Sequence, residues 1–300
     1  MHRYTVAPSV GDCHIRRSAS YHGRTAQIDR FDASAIPHQA SLSYRSLRPG
    51  SPSLAVMLDK HQSELIEHAM AVGALKFGSF TLKSGRYQSR YHIKPHPFLM
   101  HKNFTRISPY FFNAGLISSG SMLATLSAGY ASLIHTALDS SDYAKFDVLF
   151  GPAYKGISLA ACTAMVLHRD HGINVGFAYD RKEAKDHGEG GMMVGASVSG
   201  KKVLILDDVM TAGTATRNAV DMIRSGGGEV VGIVLCLDRE EVGKEGGSTV
   251  KEMERYVGGP GRVKAILRMR DLMAWLEGLG RTEDLAAMKD YWNKYGVGDS

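Results

Sequence analysis

VLILDDVMTAGT, running from Val203 to Thr214, is the stretch from which the rest of the chain can be read. Val203-Leu204-Ile205-Leu206 is an unbroken apolar run, the pattern of a short strand buried on both faces. Asp207 and Asp208 follow at once. Thr211-Ala212-Gly213-Thr214 then makes a tight polar turn, and a helical pattern opens at about Ala215. The predicted order is strand, acid pair, turn, helix. A helix N-terminus presents free backbone N–H groups and the positive end of its dipole, so it holds a phosphate. Gly213 lets the backbone approach the anion, and Thr211 and Thr214 add hydroxyl donors. Asp207 and Asp208 end the strand at the carboxyl edge of the sheet, where open α/β sheets bind ligands. A phosphate cradle beside an acid pair able to accept from a diol describes a ribose 5-phosphate site. A bare Asp-Asp would be read as a solvated pair on an ordinary strand–turn–helix; the full run argues for the site.

This stretch resembles the signature of the type I phosphoribosyltransferases for 5-phosphoribosyl diphosphate (PRPP). The resemblance implies that Asp207, Asp208, Val209, Met210, Thr211, Ala212, Gly213, Thr214 and Ala215 bind PRPP. GxxxxGK[ST] and GxGxxG, the motifs of other nucleotide folds, are absent.

The chain has 300 residues, 44% hydrophobic and 22% charged, the composition of a soluble globular protein of one or two domains. No apolar run approaches a membrane span. Cys13, Cys162 and Cys236 show no metal spacing and read as free thiols of a reducing compartment, so a cytoplasmic location is expected. The net charge of +6 suggests nucleic acid, but its distribution does not. Residues 1–53 carry seven Arg, no Lys and three Asp; residues 87–106 carry four cations and no acid. The remainder is mildly acidic and offers no basic face.

Residues 1–53 are rich in Ser and Arg and have no helical or strand period. They lack the apolar core of a secretory signal, and Asp12, Asp29 and Asp32 weaken an organelle-targeting reading without removing it. A disordered extension is expected. The phosphoribosyltransferase domain is then 54–300. A helix is predicted from about Ser53 to Val72, ending at Gly73.

Phe80 and Leu82 alternate with polar residues as in a strand, and Lys83-Ser84-Gly85 places a cation and free N–H groups at its end. With the PRPP signature in view, FTLKSGR resembles the opening strand of the orotate phosphoribosyltransferases, where the matching lysine, here Lys83, contacts the pyrophosphate of PRPP. In that family ISPYFFNAG follows at once. Here it stands at Ile107–Gly115, and Tyr87–Arg106 intervene. Arg86 and Arg106 both fit the join, so its position is ambiguous by one residue. The insert is polar and basic; it is either a surface loop, whose length costs little closure entropy, or a translated intron or splice variant. His92, His96 and His101 have no Cys or acid beside them to make a metal site. Phe111 and Phe112 resemble the pair that packs against orotate, although one of them would serve equally as a core aromatic.

A helix is predicted over 121–138, a strand over 146–150, a helix over 157–170 and a strand over 175–179. Alternation of this kind gives α/β architecture: a central parallel sheet flanked by helices. The resemblance adds a small N-terminal hood. Gly151-Pro152-Ala153-Tyr154-Lys155-Gly156-Ile157 puts glycines and a lysine at a strand's carboxyl end and resembles the pyrophosphate loop, with Tyr154 and Lys155 on PRPP. Arg181 to Gly191, RKEAKDHGEGG, is charged and glycine-ended. A solvated loop is the ordinary reading; a lid for a polyanion is the other. It resembles the family's catalytic loop, which reaches into a neighbouring subunit and so implies a homodimer. Further on, a strand over 230–237 delivers Arg239 to the carboxyl edge, where a guanidinium can hold a carboxylate; by resemblance it binds orotate, with Thr211. Helices are predicted over 266–278 and 282–295.

The implied reaction is orotate plus PRPP giving orotidine 5′-monophosphate and pyrophosphate, with Mg²⁺ carried on PRPP rather than held by protein side chains. Lys83, Lys155, Arg181, Lys182 and Lys185 oppose the charge of the leaving pyrophosphate, His187 can donate a proton, and Asp207 and Asp208 fix the ribose. A phosphoribosyltransferase for another base, a non-catalytic PRPP-binding regulator, and a product inactivated by its insert stay open. The insert is expected to hamper closure over the base.

Overall fold

The computed structural model describes residues 58–82, 106–185, 191–210, 213–243 and 246–297. All its elements belong to the unit Pro52–Ser300. The extension 1–53 and nearly all of the insert lie outside the described residues.

Six strands form the central sheet: β3 (Val148–Gly151), β4 (Gly176–Lys185), β5 (Gly191–Gly195), β6 (Lys202–Val209), β7 (Glu229–Asp238) and β8 (Val263–Arg268). Their order is β5-β4-β3-β6-β7-β8, parallel except for the β4–β5 edge pair. Val203 to Leu206 are fully buried, as four consecutive apolar residues between two helical layers must be. Leu204 and Leu206 face one core with α2 (Gly120–Asp139), α3 (Lys155–His171), α6 (Met269–Gly278) and α7 (Thr282–Tyr295). Val203 and Ile205 face the other, with α4 (Thr214–Ser225) and α5 (Thr249–Val257). The α/β sheet with helices on both faces is therefore as expected.

The hood consists of α1 (Lys60–Ala71) and an antiparallel hairpin of β1 (Leu75–Leu82) and β2 (Arg106–Phe112). Helix α1 starts where Asp59 accepts the Gln62 N–H and the Gln62 side chain answers from the other side. It ends one residue before Val72, and Gly73 takes φ +71° just beyond.

Several expectations change. Arg181 to Lys185 are not loop: they prolong β4, with the antiparallel β5 alongside, and residues 186–190 lie outside the described residues. Arg106, counted with the insert, is the first residue of β2 and pairs with Leu82. Ile266 to Arg268 belong to β8, not to a helix; Asp271 accepts the Arg268 N–H and starts α6 there. Helix α5 was not anticipated. Its Ser248 cap and the apolar positions Val250, Met253 and Val257 were nonetheless in the sequence.

Candidate active site at the sheet's switch point

From β3 the chain crosses through α3 to β4 on one side; β6 lies on the other. Between β3 and β6, therefore, two neighbouring strands send their following segments apart, and the crevice outside their carboxyl ends is the natural ligand site of such a sheet. Two opposite charges meet across it. Lys155, the first residue of α3, donates from Nζ to Asp208 Oδ2 at 2.6 Å. The Asp208 side chain is 14% exposed and that of Lys155 is 54% exposed. Asp207 Oδ1 accepts the Asp208 N–H at 2.9 Å, and the buried Tyr130 of α2 donates its hydroxyl to the Asp207 carbonyl at 2.8 Å. Burial, reinforced by the Asp208 charge, pushes the Asp207 carboxyl up to about 7.

Two glycines shape the β3–α3 turn. A Cβ on Gly151 would lie 2.1 Å from the Gly156 carbonyl oxygen, so strand end and helix start approach as only glycine allows. Between them the loop offers Tyr154, 73% exposed, and the Ala153 N–H, which donates to Asp180 Oδ1 at 2.6 Å. Asp180, buried on β4, also has Lys182 Nζ 3.9 Å from its other oxygen. Arg181 donates to the Gly191 carbonyl across the hairpin at 3.4 Å. The pyrophosphate-like loop and the cationic strand are thus linked through Asp180, a residue the sequence reading passed over. An acid directly after the apolar run 175–179 was its available signal.

The entrance to α4 lies where the sequence puts it. Gly213 is the N-cap with φ +71°, and no side chain caps the helix. Helix α3 is likewise uncapped by a side chain, as is α7, whereas α1, α2 and α5 use Asp59, Ser119 and Ser248. The two helices that start at the crevice thus leave their N–H groups for an anion. Val209 and Met210 lead into this turn, Thr214 and Ala215 open the helix, and Thr211 and Ala212 lie outside the described residues. So do Lys83 and His187, as well as the side chain of Lys185.

The base side is built from β2 and the end of β7. Phe111 is 37% exposed and stacks on Phe80, with centroids 5.6 Å apart, while Phe112 packs on the main core. Val209 pairs with Leu237, so Arg239 stands just beyond the acid pair's level on the same sheet edge. It is not a surface residue: at 7% exposure it donates from Nε to Glu241 Oε1 at 2.8 Å and from Nη2 to Ser108 Oγ at 3.1 Å. Its guanidinium lies 4.3 Å from the Tyr110 ring centroid. Burial opposes its charge, but Tyr110, Glu241 and Tyr291 outweigh that and hold its pKa above the ordinary value. The turn that carries it is strained and anchored: Asp238 accepts the Glu240 N–H, Glu240 sits at φ +46°, and its carboxylate takes the Arg270 N–H and Nε.

Residues 119–259 match the family model of the phosphoribosyl transferase domain. The orotate phosphoribosyltransferase of Thioalkalivibrio sulfidiphilus is 46% identical over 238 residues, covering 79% of this chain and 99% of that protein. The enzyme of the same name from Acinetobacter baumannii (strain ACICU) is 44% identical over 237 residues, covering 79% and 97%. Among solved structures, the orotate phosphoribosyltransferase of Francisella tularensis superposes with a TM-score of 0.62 at 37% identity, over 78% of this chain and all of that one. With relatives matched almost end to end and the sheet, crevice and uncapped helices on the page, the chain belongs to the orotate phosphoribosyltransferase family.

Proposed function

We propose that this chain transfers the 5-phosphoribosyl group from PRPP to orotate, giving orotidine 5′-monophosphate and pyrophosphate in pyrimidine biosynthesis. The observation that carries this is the meeting of Lys155 and Asp208 at the switch point. A cation for the leaving diphosphate and an acid for the ribose already face each other there. In the reaction the C1′–O bond to pyrophosphate breaks through an oxocarbenium-like state as a ring nitrogen of orotate bonds to C1′ and releases its proton, which balances the one taken up by the departing pyrophosphate. On PRPP binding, Lys155 exchanges Asp208 for phosphate oxygens, and the released Asp208 joins Asp207 on the ribose hydroxyls, near the carbon that becomes cationic. The N–H groups of Gly213, Thr214 and Ala215 hold the 5-phosphate, with the hydroxyls of Thr211 and Thr214; Tyr154 and the loop N–H groups line the diphosphate. Lys83, Arg181, Lys182 and Lys185 add charge against the leaving group, and His187 supplies a proton to it. No covalent nucleophile is assigned. Phe111, Phe112, Thr211 and Arg239 form the base site.

Hard carboxylate oxygens beside a diphosphate are the surroundings magnesium takes, so the donor set of the crevice suits Mg²⁺ brought on PRPP. Bound there, the ion would neutralise the departing pyrophosphate. The chain works as a homodimer whose β4–β5 hairpin reaches the neighbouring subunit's crevice, and it acts in the cytoplasm. No helix among the described residues is long and apolar enough to cross a membrane.

The test is orotidine 5′-monophosphate formation by the full chain with PRPP, orotate and Mg²⁺. Turnover requiring all three is expected. PRPP binding without turnover would mark a non-catalytic regulator instead, and absence of both would overturn the proposal.

A further inference from the structure

Glu241 is a buried carboxylate to which the reaction as proposed gives no part. It is 6% exposed, and three groups from three elements converge on it. Arg239, at the end of β7, donates from Nε to Oε1 at 2.8 Å; Arg106, at the start of β2, donates from Nη1 to Oε2 at 2.8 Å; Tyr291 of α7 donates its hydroxyl to Oε1 at 2.7 Å. Aromatic faces enclose both guanidiniums: Arg106 lies 3.8 Å from the Tyr295 centroid and Arg239 lies 4.3 Å from that of Tyr110. Burial, with the Glu241 charge, pushes the Tyr291 phenol up to about 12, so it stays a donor at neutral pH.

Two features of this cluster exceed what packing needs. First, Glu241 takes Arg239 by Nε, the side of the fork, and Ser108 takes one Nη2 proton. Together they fix the guanidinium plane and direct its end away from Glu241, as bidentate recognition of a planar carboxylate demands. Second, two guanidiniums share the one Glu241 carboxylate, so neither has that countercharge to itself, and the end of Arg239 keeps charge with which to meet a carboxylate.

We infer that Glu241 is a positioning residue for base recognition: it aims Arg239 and, by dividing its charge between Arg239 and Arg106, leaves positive charge for a base bearing a carboxylate. This rests on the assignment of Arg239 to orotate above. It makes the chain selective for carboxylated pyrimidines, with the hood strand β2 held in the same cluster.

The test is a double-mutant cycle on the full chain with steady-state kinetics for each substrate. Glu241→Gln is expected to raise KM for orotate about tenfold and to leave KM for PRPP within twofold. Tyr291→Phe, which removes one donor from Oε1 and keeps the fold, should shift orotate KM about two- to threefold in the same direction. In an Arg239→Lys background Glu241→Gln should have no further effect on orotate KM, because the carboxylate acts through the guanidinium. Glu241→Gln changing both KM values alike, or costing as much in the Arg239→Lys background as in the parent, would reduce Glu241 to a structural residue and overturn the inference. Arg239→Lys leaving orotate KM unchanged would overturn the base-site assignment itself, a result distinguishable from the other two.

Discussion

At the scale of single residues, the crevice is set up against itself, and stability and activity should not change in step. Lys155 is half open to water while Asp208 is largely buried, so loss of the lysine should cost about 1 kcal/mol of stability. Opposing a leaving diphosphate is a larger matter. Lys155→Met should leave Tm within about 2 °C while kcat falls about a hundredfold or more; a loss of activity tracking a loss of fold would contradict the assigned role. Asp207 gives a sharper contrast. Its carboxyl is pushed up to about 7 by burial and by Asp208. Below about pH 4 both folded and unfolded chains hold the proton, and no penalty exists. Between there and pH 7 the unfolded chain ionises first, so stability drains away as pH rises. Asp207→Asn keeps the oxygen that accepts the Asp208 N–H and removes the titration. It should raise Tm at pH 8 by about 4–8 °C, leave it unchanged near pH 4, and abolish turnover. Thermal melts across pH check the sign; a variant less stable than its parent at pH 8 would refute it.

At the scale of elements, local chemistry was readable where pattern and punctuation agreed and obscure where they did not. Val203 to Leu206 is apolar on every residue and followed at once by two acids, so strand, edge and turn could all be read from it. Arg181 to Lys185 gave no such signal: the segment has no apolar alternation, and it continues β4 through a register shift to Lys185, which pairs with Gly191 of β5. Ile266-Leu267 merged with the apolar run of α6 because the boundary is a hydrogen bond, Arg268 N–H to Asp271, and not a glycine or proline. The base side was half legible. Arg239 could be placed on its edge from the preceding strand, but what holds it could not: Ser108 is far away in sequence, and Glu241, two residues on, is itself held by the distant Arg106 and Tyr291. The β3–α3 turn is the element on which a test bears most directly. Gly151→Ala would set a Cβ 2.1 Å from the Gly156 carbonyl oxygen, backbone that cannot rotate away. It should destabilise by about 3 kcal/mol and raise KM for PRPP, because the Ala153–Lys155 loop must shift. Unchanged PRPP affinity would mean that this turn is not the diphosphate loop.

At the scale of the whole molecule, the insert and the hood have to be considered together. The hairpin closes at Leu82–Arg106, and Arg106 is committed to Glu241, Tyr291 and Tyr295. Removing residues 86–105 or 87–106 gives the same chain, Lys83-Ser84-Gly85-Arg followed by Ile107. Either excision therefore keeps an arginine where Glu241 can take it. The cluster should survive, and the shorter connection lowers the closure entropy of the hairpin, a gain of about 2 kcal/mol by loop scaling. The shortened chain should melt no lower than its parent and turn over faster at saturating PRPP, with the larger gain in KM for orotate, because the excised residues adjoin the strand that bears Phe111 and Phe112. Removing four cations and no acid from the chain should also weaken the salt dependence of kcat/KM. Steady-state rates for the two chains, measured side by side at two ionic strengths, decide the matter. Equal orotate KM in both would show that the insert leaves base closure alone, and a shortened chain that fails to fold would show that residues 86–105 are part of the hood.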